Sequence, residues 1–409
     1  MKNCIIIGGG IIGLCSAYYL AKEGHQVTVL DKSDMSDGCS YGNAGMIVPS
    51  HVIPLAQPGM IAQGIKWMFD STSPFYVKPR LDRELINWGL KFYKHANQSH
   101  VEKAMPALRD LSLLSKELYK EFAKENNSFL YQEKGLLMLY KSDAVGEDIL
   151  HEAKAAENLG LEVSYYSKEE IPSVEKGLNT NATGAVLYHS DAHLYPQKFL
   201  AFIKSELEKL GVSIQLNSLV KDFEVSQGKI DTVITTKEKI AADEVILCSG
   251  SWSPEIAKKL KLKLSILPGK GYSFSLKNFK GGPTIPSILC EGKVAVTPMG
   301  NDLRFGGTME ITHNNDTKIN KNRLKGIVNS INEFYPDLDI QIPEEKDTWF
   351  GFRPCTPSGL PIISRNEKLK NLVIASGHAM MGLSLAPATG KLVQEIVEGK
   401  KLSVSNQLF

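Results

Sequence analysis

The chain has 409 residues, more than one ordinary hydrophobic core accommodates, so two domains are expected. Its composition, 43% hydrophobic and 22% charged, is that of a soluble globular protein. The 47 Lys and Arg against 45 Asp and Glu leave a formal net charge of +2, which gives no support for nucleic-acid binding, since that needs a concentrated basic face.

Cysteines stand at Cys4, Cys15, Cys39, Cys248, Cys290 and Cys355, with no C-x-x-C pair and no histidines at metal-ligand spacing. No metal site is expected, and the compartment reads as reducing, without structural disulfides. No secretory signal pattern is present, and no apolar run approaches the roughly 20 residues that span a bilayer. A cytoplasmic location follows, with a peripheral membrane contact left open.

In chain order, residues 3–7 (NCIII) predict a buried parallel strand. Gly8-Gly9-Gly10-Ile11-Ile12-Gly13 follows, then a helical pattern closing at Gly24, a second strand QVTVL, and Asp31. Strand, G-x-G-x-x-G, helix, strand and acid in this order form the dinucleotide fingerprint. Gly8 allows the tight turn, Gly10 lets the backbone approach a pyrophosphate, and Gly13 permits close helix–strand packing. Asp31 is placed for the hydroxyls of an adenosine ribose. This unit does not choose between NAD and FAD. The small residues of Ser40-Tyr41-Gly42-Asn43-Ala44-Gly45 suit a loop lying against a flat ring system, and residues 50–80 read as a long irregular segment.

Residues 104–126 predict a helix with Leu108, Leu111, Leu114, Leu118 and Phe122 along one face. A strand at 135–140, a helix at 145–159 and an amphipathic helix at 196–211 come next. A strand VSIQLN follows, with Val220 just beyond it, and then a hairpin turning at Gln227-Gly228. Residues 241–253 read as a buried strand ending at Ser249-Gly250. The last unit, 371–399, runs a strand into Ser376-Gly377-His378, with a helix opening near Gly382. The nucleotide-type segments are therefore 1–50, 166–265 and 349–409, and 51–165 with 266–348 form a second domain inserted into the first.

These pieces resemble the D-amino-acid oxidase superfamily of flavoproteins, in its D-amino-acid dehydrogenase and glycine oxidase branches. The resemblance is carried by IIIGGGIIGLCSAYYLAKEGHQVTVLDK, SYGNAGMIVPS, LPGKGYSFSL, WFGFRPCTPSGLP and IASGHAMMGLSLAPATG. It implies a mixed α/β (α+β) fold, with a Rossmann-like FAD-binding domain and an inserted β-rich substrate domain. It also implies oxidative deamination of D-amino acids, D-proline and hydroxyprolines among the candidates: hydride passes from the α-carbon to flavin N5 and the imine is hydrolysed to a 2-oxo acid. The electron acceptor it leaves open is a quinone, another carrier or O2; the oligomeric state is open too. The implied cofactor-facing set is Gly8, Gly10, Ile11, Ile12, Gly13, Asp31, Lys32, Ser40, Asn43, Ala44, Gly45, Val220, Ser249, Gly250, Gly351, Gly377, Met380, Met381, Gly382 and Leu383. Members that tether their flavin to a cysteine carry it opposite Gly351, so a non-covalent FAD is expected and Cys355 reads as a packed thiol.

On the substrate side the resemblance implies Arg353 as the carboxylate anchor, with Tyr272, His378 and His51 as further catalytic candidates. A guanidinium fork suits a carboxylate better than a lysine does. Tyr272 reads equally as a core tyrosine, His51 as an exposed loop residue, and His378 as a residue orienting its turn. Met380-Met381 stands where glycine oxidase carries an arginine, which favours apolar, cyclic or larger substrates over glycine. Rival readings are an oxidase of the glycine or sarcosine type using O2, an NAD-dependent dehydrogenase, and a flavin-binding subunit without catalysis. Trp67, Met68 and Phe69 form a candidate membrane-touching stretch.

Overall fold

Alternation within the first strand sets the architecture. Along Asn3–Ile7, Cys4 and Ile6 face one side and Ile5 and Ile7 the other, all four buried, so the strand needs cover on both faces. The computed structural model, which describes residues 1–36, 38–68, 70, 72–78, 80, 82–177 and 179–409, supplies it. A six-stranded sheet runs in the order Ile362–Arg365, Leu372–Ser376, Glu244–Leu247, Asn3–Ile7, Gln26–Leu30, Ser213–Gln215. Its pairs are parallel except the antiparallel edge of Ile362–Arg365 with Leu372–Ser376. Helices Ile11–Lys22, Gln98–Glu125, Pro196–Lys209 and Gly382–Glu398 share the core of one face. A three-stranded sheet of Val220–Ser226, Lys229–Thr235 and Lys239–Ala241, together with helix Ser253–Lys259, covers the other.

The second layer is a nine-stranded sheet. Its main path runs Trp349–Cys355, Leu267–Leu276, Asp302–Ile311, Val294–Met299, Ser287–Leu289, Leu136–Tyr140, Gly184–Tyr188, Val163–Ser167, with Phe75–Val77 paired to Asp302–Ile311. Helix Lys321–Phe334 packs into its core.

Two groupings differ from the sequence expectation. Gly184–Tyr188 and Trp349–Cys355, grouped above with the nucleotide segments, pair within the nine-stranded sheet. Helix Gln98–Glu125, grouped with the inserted domain, lays Leu108, Leu111, Leu118 and Phe122 into the core beside the first sheet. An amphipathic stripe says that a helix is covered, not by which sheet, and a buried strand reads alike in either layer. That helix also begins earlier than residue 104, because the Asn97 side chain accepts from His100 N at 3.0 Å and caps it. The segment expected to be irregular holds helix Met60–Met68 and strand Phe75–Val77.

The first and last helices approach at Gly390, where a Cβ would lie 2.6 Å from the Cys15 carbonyl oxygen. Gly390→Ala is therefore expected to destabilise the protein by about 1–3 kcal/mol, read as a lower urea midpoint with unchanged slope.

Candidate functional site

The turn after the first strand is a cradle that side chains would fill. Gly8 sits at φ +114°, and a Cβ on it would meet the Cys248 carbonyl oxygen at 2.6 Å. A Cβ on Gly13 would lie 1.9 Å from the Gly8 carbonyl oxygen, so the helix can seat only on glycine. Gly10 opens Ile11–Lys22 with no acid in the first turn; Ser40 takes the Ile11 N–H, and the following N–H groups and the dipole remain for an anion. Asp31 Oδ2 accepts from Gly9 N at 2.8 Å and Oδ1 from Ser33 N at 2.9 Å, so the carboxylate is held at the end of its strand with lone pairs to spare. Lys32 Nζ lies 3.7 Å over the Trp252 ring.

Ser40 Oγ accepts from Ile11 N at 3.1 Å and ties the small-residue loop to the cradle. The loop is held from the far layer by Arg304, 5% exposed. Its Nη1 donates to the carbonyls of Tyr41 (3.3 Å) and Asn43 (3.1 Å), and its Nε to Ser275 Oγ. The Trp349 ring covers Gly42 and Gly351, each of which would strike it with a Cβ. Between the layers lies a cavity of about 550 Å³. Part of its floor is a cross-strand row, Gly306–Ala295–Ile288–Met138, that rises in side-chain size as it crosses the sheet.

At one end of this floor stands Arg353, half-buried. Its guanidinium lies flat against Gly271, where a Cβ would meet Nη1 at 2.1 Å. Nη1 donates to the Thr308 carbonyl. Among the described residues no carboxylate pairs with it, and burial draws its pKa below the usual guanidinium value. The remaining fork is free for an anion in the cavity.

The other catalytic candidates differ from expectation in detail. Tyr272 borders the cavity, but its hydroxyl donates to Glu310 Oε1 at 2.6 Å and accepts from Asn320 N at 3.2 Å; the phenol is engaged in the sheet core. His378 borders the cavity, but its Nε2 lies 3.0 Å from Thr389 Oγ1, and burial holds its pKa down to about 3, so it is a neutral tie between turn and helix. His51 is half-buried on the cavity wall rather than exposed, with Nδ1 3.1 Å from Ser50 Oγ. Beyond His378, helix Gly382–Glu398 opens with neither a side-chain cap nor an acid in its first turn.

Most of the expected cofactor set lines this cavity: Gly8, Gly10, Ile11, Ile12, Asp31, Lys32, Ser40, Asn43, Ala44, Val220, Ser249, Gly250, Gly351, Met380, Met381, Gly382 and Leu383. Gly13, Gly45 and Gly377 lie behind the wall and shape the backbone, the last two at φ +77° and +81°. Trp67 is half-buried and lines the cavity, and Phe69 lies outside the described residues. Arg304, Thr308 and Gly271 were missed; their importance lies in contacts with distant strands that no local pattern announces. All six cysteines are free thiols.

A family model described as FAD dependent oxidoreductase (DAO) matches residues 3–396. The D-amino acid dehydrogenase of Helicobacter pylori (strain ATCC 700392 / 26695) is 32% identical over 396 residues, covering 97% of this chain and 94% of the relative. That of Vibrio atlanticus (strain LGP32) is 30% identical over 410 residues, covering 98% and 97%. Among solved structures, glycine oxidase from Bacillus cereus ATCC 14579 superposes with a TM-score of 0.77 at 21% identity, covering 100% of this chain and 97% of that one. L-proline dehydrogenase from P. horikoshii gives a TM-score of 0.75 at 21% identity, covering 98% and 94%.

Cys355 is buried with Sγ 3.7 Å from Met309 Sδ, and burial pushes its thiol up to about 12. Its Sγ also lies 3.4 Å from the Arg353 carbonyl, the packing expected of a core thiol. Acid precipitation of the yellow protein is expected to leave all flavin in the supernatant, and Cys355→Ser to keep the flavin content.

Proposed function

The chain belongs to the DAO family of FAD-dependent oxidoreductases, and from that premise we propose that it oxidatively deaminates D-amino acids. The observation that carries the substrate class is Arg353, a half-buried guanidinium on the cavity wall with no acid partner among the described residues. Relatives named D-amino acid dehydrogenase along nearly the whole chain support the D configuration. The apolar wall of Ile53, Met138, Ile288 and Met381 favours apolar or cyclic side chains, D-proline and its hydroxylated forms included.

The residues present fit FAD: an open helix start and a glycine cradle for the pyrophosphate, a fixed carboxylate for the ribose, and small residues under a flat ring. When bound, FAD supplies the two-electron acceptor for the α-hydrogen. Arg353 holds the substrate carboxylate, and its link to Thr308 fixes the plane of the fork, so the α-carbon is presented in one place. The open start of helix Gly382–Glu398 offers N–H groups to negative charge on the cavity side. In this reading the six-stranded layer holds the nucleotide and the nine-stranded layer forms the substrate wall.

The reaction is tested by anaerobic flavin bleaching across D- and L-amino acids, proline analogues, glycine and sarcosine; no bleaching by any D-amino acid overturns it. Arg353→Ala is expected to retain FAD and lose roughly 10²- to 10³-fold in kcat/KM, as when one partner of a buried charge pair is removed.

For the electron acceptor we infer a membrane-borne carrier reached from an exposed apolar face. No helix among the described residues is long and apolar enough to cross a membrane. Yet helices Met60–Met68 and Arg83–His95 expose Ile65 (54%), Ile86 (51%), Leu90 (59%) and Tyr93 (70%). Exposed Lys66, Arg83, Lys91 and Lys94 accompany them against Glu84, a balance that suits an anionic lipid surface. Co-sedimentation with phosphatidylglycerol vesicles is expected, weakening with salt. Leu90→Glu with Tyr93→Glu should abolish it while substrate-driven flavin reduction stays unchanged.

A further inference from the structure

Behind His51 runs a chain of polar groups that ends on a fully buried carboxyl. Asp191 is 0% exposed. Its Oδ1 accepts from Ser50 N at 3.0 Å and from Ser190 Oγ at 3.1 Å. Its Oδ2 lies 2.5 Å from Ser50 Oγ, which in turn lies 3.1 Å from His51 Nδ1. Ser50 and His51 line the cavity, and His51 Nε2 has no hydrogen-bond partner among the described residues. The segment is anchored to the first turn of helix Gly382–Glu398, where Val48 N donates to Ser384 Oγ at 2.9 Å.

Two donors already occupy Oδ1, so a proton on this carboxyl belongs on Oδ2, against Ser50. The chain then has two self-consistent states. With Asp191 ionised, Ser50 donates to Oδ2, His51 Nδ1–H donates to Ser50, and Nε2 offers a lone pair to the cavity. With Asp191 protonated on Oδ2, the two hydrogen bonds along Asp191–Ser50–His51 reverse, those to Oδ1 stay, and Nε2 carries a hydrogen. One proton taken up at Nε2 converts the first state into the second through two short shifts.

We propose that His51, Ser50 and Asp191 form a proton relay that carries a proton from the substrate's ammonium group to the buried carboxylate. It rests on the reaction assigned above. His51 touches the substrate; Ser50 and Asp191 are positioning residues. The balance is simple: the ammonium loses one proton to His51 Nε2, and the neutral amine then releases its α-hydrogen with the bonding pair to the FAD oxidant. The carbon–nitrogen double bond so formed is hydrolysed to a 2-oxo acid. The proton on Asp191 returns by the same route to water once product has left.

The environment favours passing the proton on rather than storing it on the ring. Burial, aided by Lys293, holds His51 down at about 4, so the imidazolium is disfavoured. Burial raises Asp191 to about 7, against hydrogen bonds from Ser50 and Ser190 and the charge of Lys116. The other titratable groups facing the chain are Tyr188 and, on the cavity wall, Glu152 and Lys293. Acceptance requires ionised Asp191, so the sign is set: flavin reduction rises with pH through about 7 and then levels.

The test uses the holoenzyme in two measurements. In anaerobic stopped flow with a D-amino acid, Ser50→Ala is expected to slow flavin reduction on the order of 10²-fold, lose the break near neutrality and keep its flavin. Ser50→Thr restores both rate and break. In substrate-free protein, 15N-histidine NMR is expected to show His51 exchanging tautomers as Asp191 titrates, and Asp191→Asn to abolish the exchange. A His51 tautomer constant from about pH 5 to about pH 9, or a Ser50→Ala enzyme with wild-type rate and pH break, overturns the relay. If no D-amino acid bleaches the wild-type flavin, the assigned reaction falls, and the NMR measurement still decides the relay.

Discussion

A guanidinium drawn partly out of water is unfavourable by several kcal/mol when no carboxylate stands beside it, and among the described residues none pairs with Arg353, so the site depends on the fold tolerating one. Three strands share the task. Trp349–Cys355 carries Arg353, Leu267–Leu276 presents Gly271 beneath the planar cation, and Asp302–Ile311 turns the Thr308 carbonyl toward Nη1. Any side chain on Gly271 would lift the guanidinium off the sheet. The pairing of Gly271 with Gly351 fixes the register, and a one-residue slip would send Arg353 to the opposite face. The free fork is thus a property of sheet register as much as of one residue.

The cavity lies where two layers with different logic meet. Strands Asn3–Ile7, Gln26–Leu30, Glu244–Leu247 and Leu372–Ser376 all end at it, through Gly8, Asp31, Cys248 and Ser376. This is the carboxyl edge where open parallel sheets bind ligands. The nine-stranded sheet instead contributes a face, with small residues at Gly306 and Ala295 where a flat group needs room and larger ones at Ile288 and Met138 where the space closes. Arg304 links the layers, its charge spent on loop carbonyls of the nucleotide side.

Legibility in the sequence followed the range of the interactions. The dinucleotide unit could be read because its glycines, helix start and acid act on one another within about 30 residues. Arg353 stood out because prolines and glycines around it forbid a helix. What escaped was decided across long separations. Ser50 meets a carboxyl 141 positions away, and Tyr272 gives its hydroxyl to Glu310, 38 positions on. Trp67 gave no sign of turning inward, so the exposed apolar face emerged only when the helices carrying Ile65 and Leu90 were placed side by side.

Charge state joins these parts. An amino-acid zwitterion has an acceptor end and a donor end, and a cavity that seats it needs the converse. Arg353 can only donate. A charged His51 would also only donate, and would repel an ammonium group. Burial keeps its imidazole neutral at about 4, and ionised Asp191 acting through Ser50 fixes the tautomer that turns Nε2 into an acceptor. His378 is likewise neutral, so its turn adds no competing cation. The desolvation that makes Arg353 costly is the same force that leaves His51 able to accept a proton, and burial around one cavity sets both roles.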